Sequence, residues 1–146
     1  RPGGKQQANY WDVKRQPFPV VDSSPASTQR IKVGTTRVRT FPENGYGLYD
    51  MTGNAWQWVA DWYRADYFEL QARKFGNKVL QNPLGPSASF DPSDHNTPVN
   101  APKRVIRGGS FLCNEEYCMS YRPSARRGLD PFSGMSHVGF RLVQVR

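Results

Sequence analysis

Asn44-Gly45-Tyr46-Gly47-Leu48-Tyr49-Asp50-Met51-Thr52-Gly53-Asn54-Ala55-Trp56-Gln57-Trp58-Val59-Ala60-Asp61-Trp62 is the stretch on which the reading of this chain turns. Its end alternates. Trp56, Trp58, Ala60 and Trp62 share one face at a period of two, and Gln57, Val59, Asp61 and Tyr63 share the other. That spacing predicts a strand over 56–63 rather than a helix. Working outward, Ala65 to Phe75 reads as one helix, and Arg104 to Arg107, Met119 to Ala125 and Val138 to Val145 read as three further strands. Residues 82–103 hold five of the twelve prolines together with Ser, Asp and Asn, which predicts a long irregular surface loop with His95 solvated inside it. Upstream, residues 12–44 mix Pro, Ser, Thr and basic residues around two short apolar pieces, Phe18 to Val21 and Arg37 to Phe41, expected to be extended.

A chain of 146 residues is long enough for one domain with a real core and too short for two. Hydrophobic residues are 37% while aromatics reach 13%, so large rings rather than aliphatic runs must fill the interior. No run approaches the roughly 20 apolar residues a membrane span needs, and Arg1 to Gln7 lack the apolar centre of a signal peptide. The net charge of +8 invites a nucleic-acid partner, but its distribution argues against one. Residues 1–40 hold eight basic side chains against two acidic, whereas residues 41–70 hold Arg64 against five carboxylates. There is no basic run of five and no helix-turn-helix, zinc-finger or RNA-recognition signature. A solvated basic face suits an acidic protein or peptide partner, through faster encounter.

Cys113 and Cys118 are the two cysteines of the chain, spaced C-x4-C directly after Gly108-Gly109-Ser110. Two thiols this close either form a short disulfide or jointly hold a soft ion such as Cu(I). A bridge enclosing four residues is a weak staple, because loop-closure entropy grows with the residues enclosed. Neither His95 nor His137 is spaced to complete a tetrahedral zinc site with the thiols.

The opening stretch resembles the N-G-Y-G-L-Y-D-M-x-G-N-x-W-E-W signature of the formylglycine-generating enzyme (sulfatase-modifying factor) family. Ala8-Asn9-Tyr10-Trp11 looks like an upstream element of that family, and Arg107 to Cys113, Tyr117-Cys118, Tyr121-Arg122, Ala125-Arg126 and Gly139-Phe140-Arg141 match its C-terminal block in order and spacing. Family members are longer at the N-terminus, and this chain opens on Arg1 in a polar loop. Residues 1–146 are therefore expected to be the C-terminal portion of a single such domain, its N-terminal portion lying outside this numbering. The resemblance implies an α+β fold with little regular secondary structure, a variant of the C-type-lectin fold.

The implied activity is a copper-dependent oxidase that converts a cysteine in the C-x-P-x-R motif of a sulfatase polypeptide to Cα-formylglycine with O2. Cys113 and Cys118 would ligate Cu(I), leaving room for the substrate sulfur, with Cys118 also able to exchange with the substrate thiol. Ser110 would place a hydroxyl beside the first ligand, although its residue type suits ordinary turn chemistry equally well. Trp56 and Tyr117 would line the oxygen or substrate pocket, or simply pack; Trp58 and Trp62 read as core. His137 stands where family members carry Asn.

Calcium is the second implied cofactor, at Asp50, Gly53, Ala55 and Gln57, an oxygen set suited to a hard cation. Gln57 replaces the family's Glu and removes one negative charge. A second calcium site at Asn9 and Tyr10 normally uses a downstream D-G-F segment, but the chain from Arg30 to Gly34 places cations there instead. Pro123 and Leu142 stand where secreted members carry stabilising cysteines, and no N-x-[ST] acceptor is present, which points to a reducing prokaryotic cytoplasm. The competing reading is a non-catalytic module of the same fold that holds protein or glycan with its cysteines merely paired. The related iron-dependent sulfoxide synthases need a histidine triad, and this chain has two histidines.

Overall fold

The computed structural model describes residues 8–10, 34–115 and 117–144. Strand β1 (Trp56–Trp62) is followed by helix α1 (Tyr67–Phe75), strand β2 (Arg104–Arg107), a 3-10 turn (Met119–Tyr121), and strands β3 (Arg127–Leu129) and β4 (Val138–Gly139). They form one four-stranded sheet in the order β3-β2-β1-β4, antiparallel except for the parallel β1/β4 pair. The tryptophan strand is thus central, and the small mixed sheet with few helices fits the expected α+β fold with little regular secondary structure.

The alternation of β1 is interrupted. Trp58 pairs with Ile106 and Trp62 with Arg104, so four steps along β1 oppose two along β2 and the strand bulges between. At the bulge Ala60 is exposed, and its carbonyl accepts from the Arg104 guanidinium, whose carbon lies 3.6 Å from the Trp62 ring centroid. A cation therefore covers Trp62 where an apolar layer was expected. The tight core lies at the other end of β1. There Trp56, Ile106, Cys113 and Cys118 are buried together, with Trp58, Tyr121, Leu129 and Val138 packed against them.

Helix α1 begins two residues later than predicted because Asp66 is engaged by Arg64, at 2.9 Å from Nε and 2.8 Å from Nη2, and does not cap the helix. The loop over 82–103 is irregular as predicted but firmly tied down. Lys103 Nζ lies 2.6 Å from both Asp91 Oδ2 and Asp94 Oδ2, and the Ser89 hydroxyl donates to the Lys103 carbonyl at 3.0 Å while accepting from the Lys103 amide at 2.8 Å. Burial works against the Lys103 ammonium, but the hydrogen bonds that it donates to Asp91 and Asp94 override it and raise its pKa.

Two expected strands and one expected extended segment need correction. Met119 to Ala125 is a 3-10 turn followed by bends, because Cys118 is fixed by its bond to Cys113 and Pro123 has no amide to donate to a ladder. Among the described residues of the Val138 to Val145 segment, which end at 144, two are paired. Beyond Gly139 the Arg141 guanidinium turns to the Tyr49 and Asp50 carbonyls, and the chain leaves β1 with Phe140, Leu142 and Val143 exposed. Arg37 to Phe41 is a turn, with Arg39 at φ 62° and the Thr40 hydroxyl donating to the Arg37 carbonyl at 2.5 Å. Phe18 to Val21 lies outside the described residues.

Candidate functional site

Gly108 and Gly109 sit at φ 86° and 69°, two consecutive left-handed residues that only glycine adopts without strain. A Cβ on Gly109 would lie 2.8 Å from the Tyr121 backbone nitrogen, so the turn also brings two chain segments closer than a side chain permits. It carries the chain from the end of β2 into the cysteine loop, and the Gly108 carbonyl accepts from the Gly53 amide at 2.7 Å. Phe111 N–H donates to the Asn54 carbonyl at 3.0 Å and Trp56 N–H to the His137 carbonyl at 2.8 Å. Backbone hydrogen bonds therefore stitch four separated sequence motifs into one locality.

Cys113 and Cys118 are disulfide-bonded, their Cα atoms 4.7 Å apart, and only 1% and 8% exposed. Each arm of their loop has its own anchor. On the first, Ser110 accepts the Leu112 amide on its hydroxyl at 3.2 Å and the Cys113 amide on its carbonyl at 3.0 Å. On the second, Asn114 accepts the Tyr117 amide on Oδ1 at 2.6 Å and the Cys118 amide on its carbonyl at 3.1 Å. Ser110 thus performs turn chemistry here, and its hydroxyl proton remains a donor for a neighbouring group.

Of the residues expected to line a pocket, Trp56 is buried against the two cysteines. Tyr117 is 80% exposed immediately before Cys118, and half-buried His137 sets its ring edge-on to Phe111 at 6.3 Å. Tyr121 stacks on Tyr10 at 5.4 Å, and burial followed by the Glu115 charge raises its pKa.

Asp50 occupies a left-handed conformation, φ 54°, in the loop that Gly53 N–H ties to the double-glycine turn. Its Oδ2 accepts the Arg39 amide at 2.9 Å, whereas its Oδ1 is buried with no hydrogen-bond partner. Gln57 Nε2 donates to the Ala55 carbonyl at 3.0 Å from its place on β1, just past the loop that carries Asp50, Gly53 and Ala55. A cavity of about 260 Å³ opens beside it between Phe41, Glu43, Asn44, Leu48 and Asp50, away from both cysteines. A hydrogen bond to Glu43, with its negative charge, raises the pKa of Tyr49 nearby. Among the described residues no cluster of three or more His, Cys, Asp or Glu side chains is placed to hold a metal. Asn9 donates its side-chain amide to the Gly34 carbonyl at 3.0 Å and to Asn54 Oδ1 at 3.1 Å, while residues 30–33 lie outside the described ones.

Two asparagines escaped the sequence reading as structural centres. Asn54, at φ 64° and buried, accepts from Thr36 N at 2.8 Å and donates to the Thr36 carbonyl at 3.3 Å, joining segments 18 residues apart. Asn114 accepts the Tyr117 and Cys118 amides within the cysteine loop. The available signal was residue type, because asparagine both tolerates left-handed backbone and bonds nearby amides.

Residues 1–146 match the family model of the sulfatase-modifying factor enzyme 1-like domain. The formylglycine-generating enzyme of Thermomonospora curvata is 37% identical over 140 residues, 96% of this chain and 39% of that protein. That of Mus musculus is 36% identical over 141 residues, 97% of this chain and 31% of that protein. The serine/threonine-protein kinase pkn1 of Chlamydia pneumoniae is 33% identical over 110 residues, 75% of this chain and 14% of that protein. The chain spans less than half the length of each. No helix among the described residues is long and apolar enough to cross a membrane.

Proposed function

The chain belongs to the sulfatase-modifying factor enzyme 1-like domain family, and on that premise we propose that it forms part of a copper-dependent oxidase converting a sulfatase cysteine, within C-x-P-x-R, to formylglycine. The observation that carries the proposal is the buried Cys113–Cys118 pair behind the double-glycine turn, tied through Gly53 to the Asp50 loop. The family's lectin-like fold variant is part of the same proposal.

The donor set fits Cu(I). Reduction of the bridge by two electrons leaves two thiols on a loop whose anchors do not involve sulfur, and two thiolates suit a soft ion better than any hard competitor. When bound, copper supplies the redox chemistry with O2. Cys113 and Cys118 hold it and exclude water by their burial, Trp56 walls the apolar side, and Tyr117 presents its ring to an incoming peptide. Ser110 sets the first arm and retains a hydroxyl proton to donate. His137, beside Phe111, supplies a polar edge.

The Asp50 loop fits a hard cation, because a buried carboxylate oxygen without a partner is costly unless something positive satisfies it. Asp50 with Gly53, Ala55 and Gln57 would hold calcium as a structural ion. The Asn9 and Tyr10 site has no such donor set among the described residues. A reducing prokaryotic cytoplasm remains part of the proposal.

The deciding test incubates the complete gene product containing these residues with a C-x-P-x-R peptide, copper and O2, and reads the peptide by mass spectrometry. Loss of the cysteine sulfur with appearance of an aldehyde supports the oxidase. The kinase relative, which carries a similar segment, favours the binding-module alternative if no conversion occurs and the peptide is nevertheless bound.

A further inference from the structure

We propose that Asn114 is the positioning residue that sets how readily Cys113 and Cys118 pair. The inference rests on reading those cysteines as the reactive pair, and it needs neither copper nor peptide.

Asn114 directly follows the first cysteine and is 1% exposed. Its carboxamide oxygen takes the Tyr117 amide at 2.6 Å, and its backbone carbonyl takes the Cys118 amide at 3.1 Å. One residue thereby captures the two consecutive amides that lead into the second sulfur. Closing any loop costs chain entropy, and here hydrogen bonds that contain no sulfur meet that cost. They persist when the bridge is open. The reduced thiols then remain on Cα atoms within bridging range, so each acts on the other at high effective concentration. The same bonds hold the second thiolate in place for a metal. An asparagine carboxamide is buried at this point because it is the group that accepts the Tyr117 amide.

The reaction that reads this is exchange with oxidised glutathione. Two protein thiols and one glutathione disulfide give the Cys113–Cys118 bond and two reduced glutathiones, with two electrons and two protons passing to glutathione. Asn114→Ala removes the carboxamide that accepts the Tyr117 amide and leaves the backbone bond to Cys118 in place. Loss of that carboxamide should lower the pairing equilibrium constant about fivefold or more.

The experiment traps free thiols in the intact protein across a glutathione redox series, for wild type, Asn114→Ala, Asn114→Ser and Val105→Ala. Serine at 114 keeps a hydroxyl that can accept the same amide, as Ser110 does on the opposite arm, and should recover most of the loss. Val105→Ala, in buried β2, lowers global stability without touching the loop and should leave the constant within about twofold. An Asn114→Ala constant equal to wild type, or a Val105→Ala shift as large, overturns the proposal. Amide hydrogen exchange of the reduced wild-type protein tests it without any variant. Protection of the Tyr117 and Cys118 amides is expected, and exchange at free-peptide rates overturns it. Failure of peptide oxidation with these results intact would strike the oxidase reading alone.

Discussion

Arg141 holds Asp50 by the backbone: its Nη2 donates to the Asp50 carbonyl at 3.2 Å and its Nη1 to the Tyr49 carbonyl, also at 3.2 Å. A left-handed aspartate is thereby fixed with one carboxylate oxygen bonded to Arg39 N–H and the other buried without a partner. The C-terminal Gly139-Phe140-Arg141 motif, 91 residues away, shapes the loop proposed for calcium.

Calcium should therefore raise the melting temperature of the wild-type protein through mass action on the folded state. Asp50→Ala should erase that rise, since the loop then offers only neutral oxygens. Arg141→Ala should diminish it while leaving the carboxylate in place. Thermal denaturation with calcium and with chelator checks both, and an unchanged calcium shift in Asp50→Ala would refute the site.

The Lys103 cluster should govern acid stability. Burial opposes the Asp91 carboxylate, yet its bonds to Lys103 and Ser93 keep its pKa below the usual range. The Lys103 bond, with those from Asn96 and Thr97, lowers Asp94 to about 2. A depressed carboxylate contributes stability that is present above its unfolded pKa, roughly 3.9, and lost as pH falls through the folded value. Wild type should lose stability between about pH 4 and pH 2. Lys103→Met should cost about 3 kcal/mol at neutral pH by leaving Asp91 buried and uncompensated, and should flatten the pH dependence across that window. Urea melts at several pH values measure it.

Gly109→Ala should be among the most damaging small substitutions. It combines a left-handed backbone with a Cβ driven against the Tyr121 amide, and we expect about 2 kcal/mol or more of destabilisation. Alanine at Gly76 is the useful contrast, because a Cβ there meets nothing within 4 Å although φ is also positive. Equal melting temperatures for the two variants would show that the close approach to Tyr121 is unimportant.

Exposed apolar side chains should make residues 1–146 sticky by themselves. Phe140, Leu142 and Val143 are 72%, 88% and 84% exposed just beyond the short edge strand β4. Apolar surface of this kind calls for a cover. We expect ANS binding and self-association of these residues expressed alone, both suppressed in the complete gene product. A monomeric, ANS-silent product from residues 1–146 alone would contradict this.

Much of the sheet was legible because β1 and β2 carry short, strongly patterned runs bounded by turn residues. The closeness of Cys113 and Cys118 was legible from their C-x4-C spacing, which left open whether they pair or share an ion. The reading of Trp58 and Trp62 as core holds in part: Trp58 packs against the buried cluster, whereas Arg104 lies over Trp62. Alternation within one strand cannot reveal a bulge, which depends on what the partner strand opposes. Nor did Met119 to Ala125 or Val138 to Val145 announce that a disulfide and the Arg141 contacts would divert them from the sheet. Such tertiary constraints override local β-propensity. The roles of Asn54 and Asn114 were hidden for the same reason, since the backbone groups that they engage carry no sequence signature.

The two sulfurs carry the central claim, and Cu(I) binding to the reduced complete gene product tests it most directly. Titration against a chromogenic Cu(I) competitor should show one tightly held ion per chain in wild type. Cys113→Ser and Cys118→Ser should each lose that ion together with conversion of a C-x-P-x-R peptide, because a hydroxyl is a hard and weakly acidic donor that cannot replace thiolate. Tight copper binding or full peptide turnover in either single variant would contradict the assignment of Cys113 and Cys118 as the metal-holding pair.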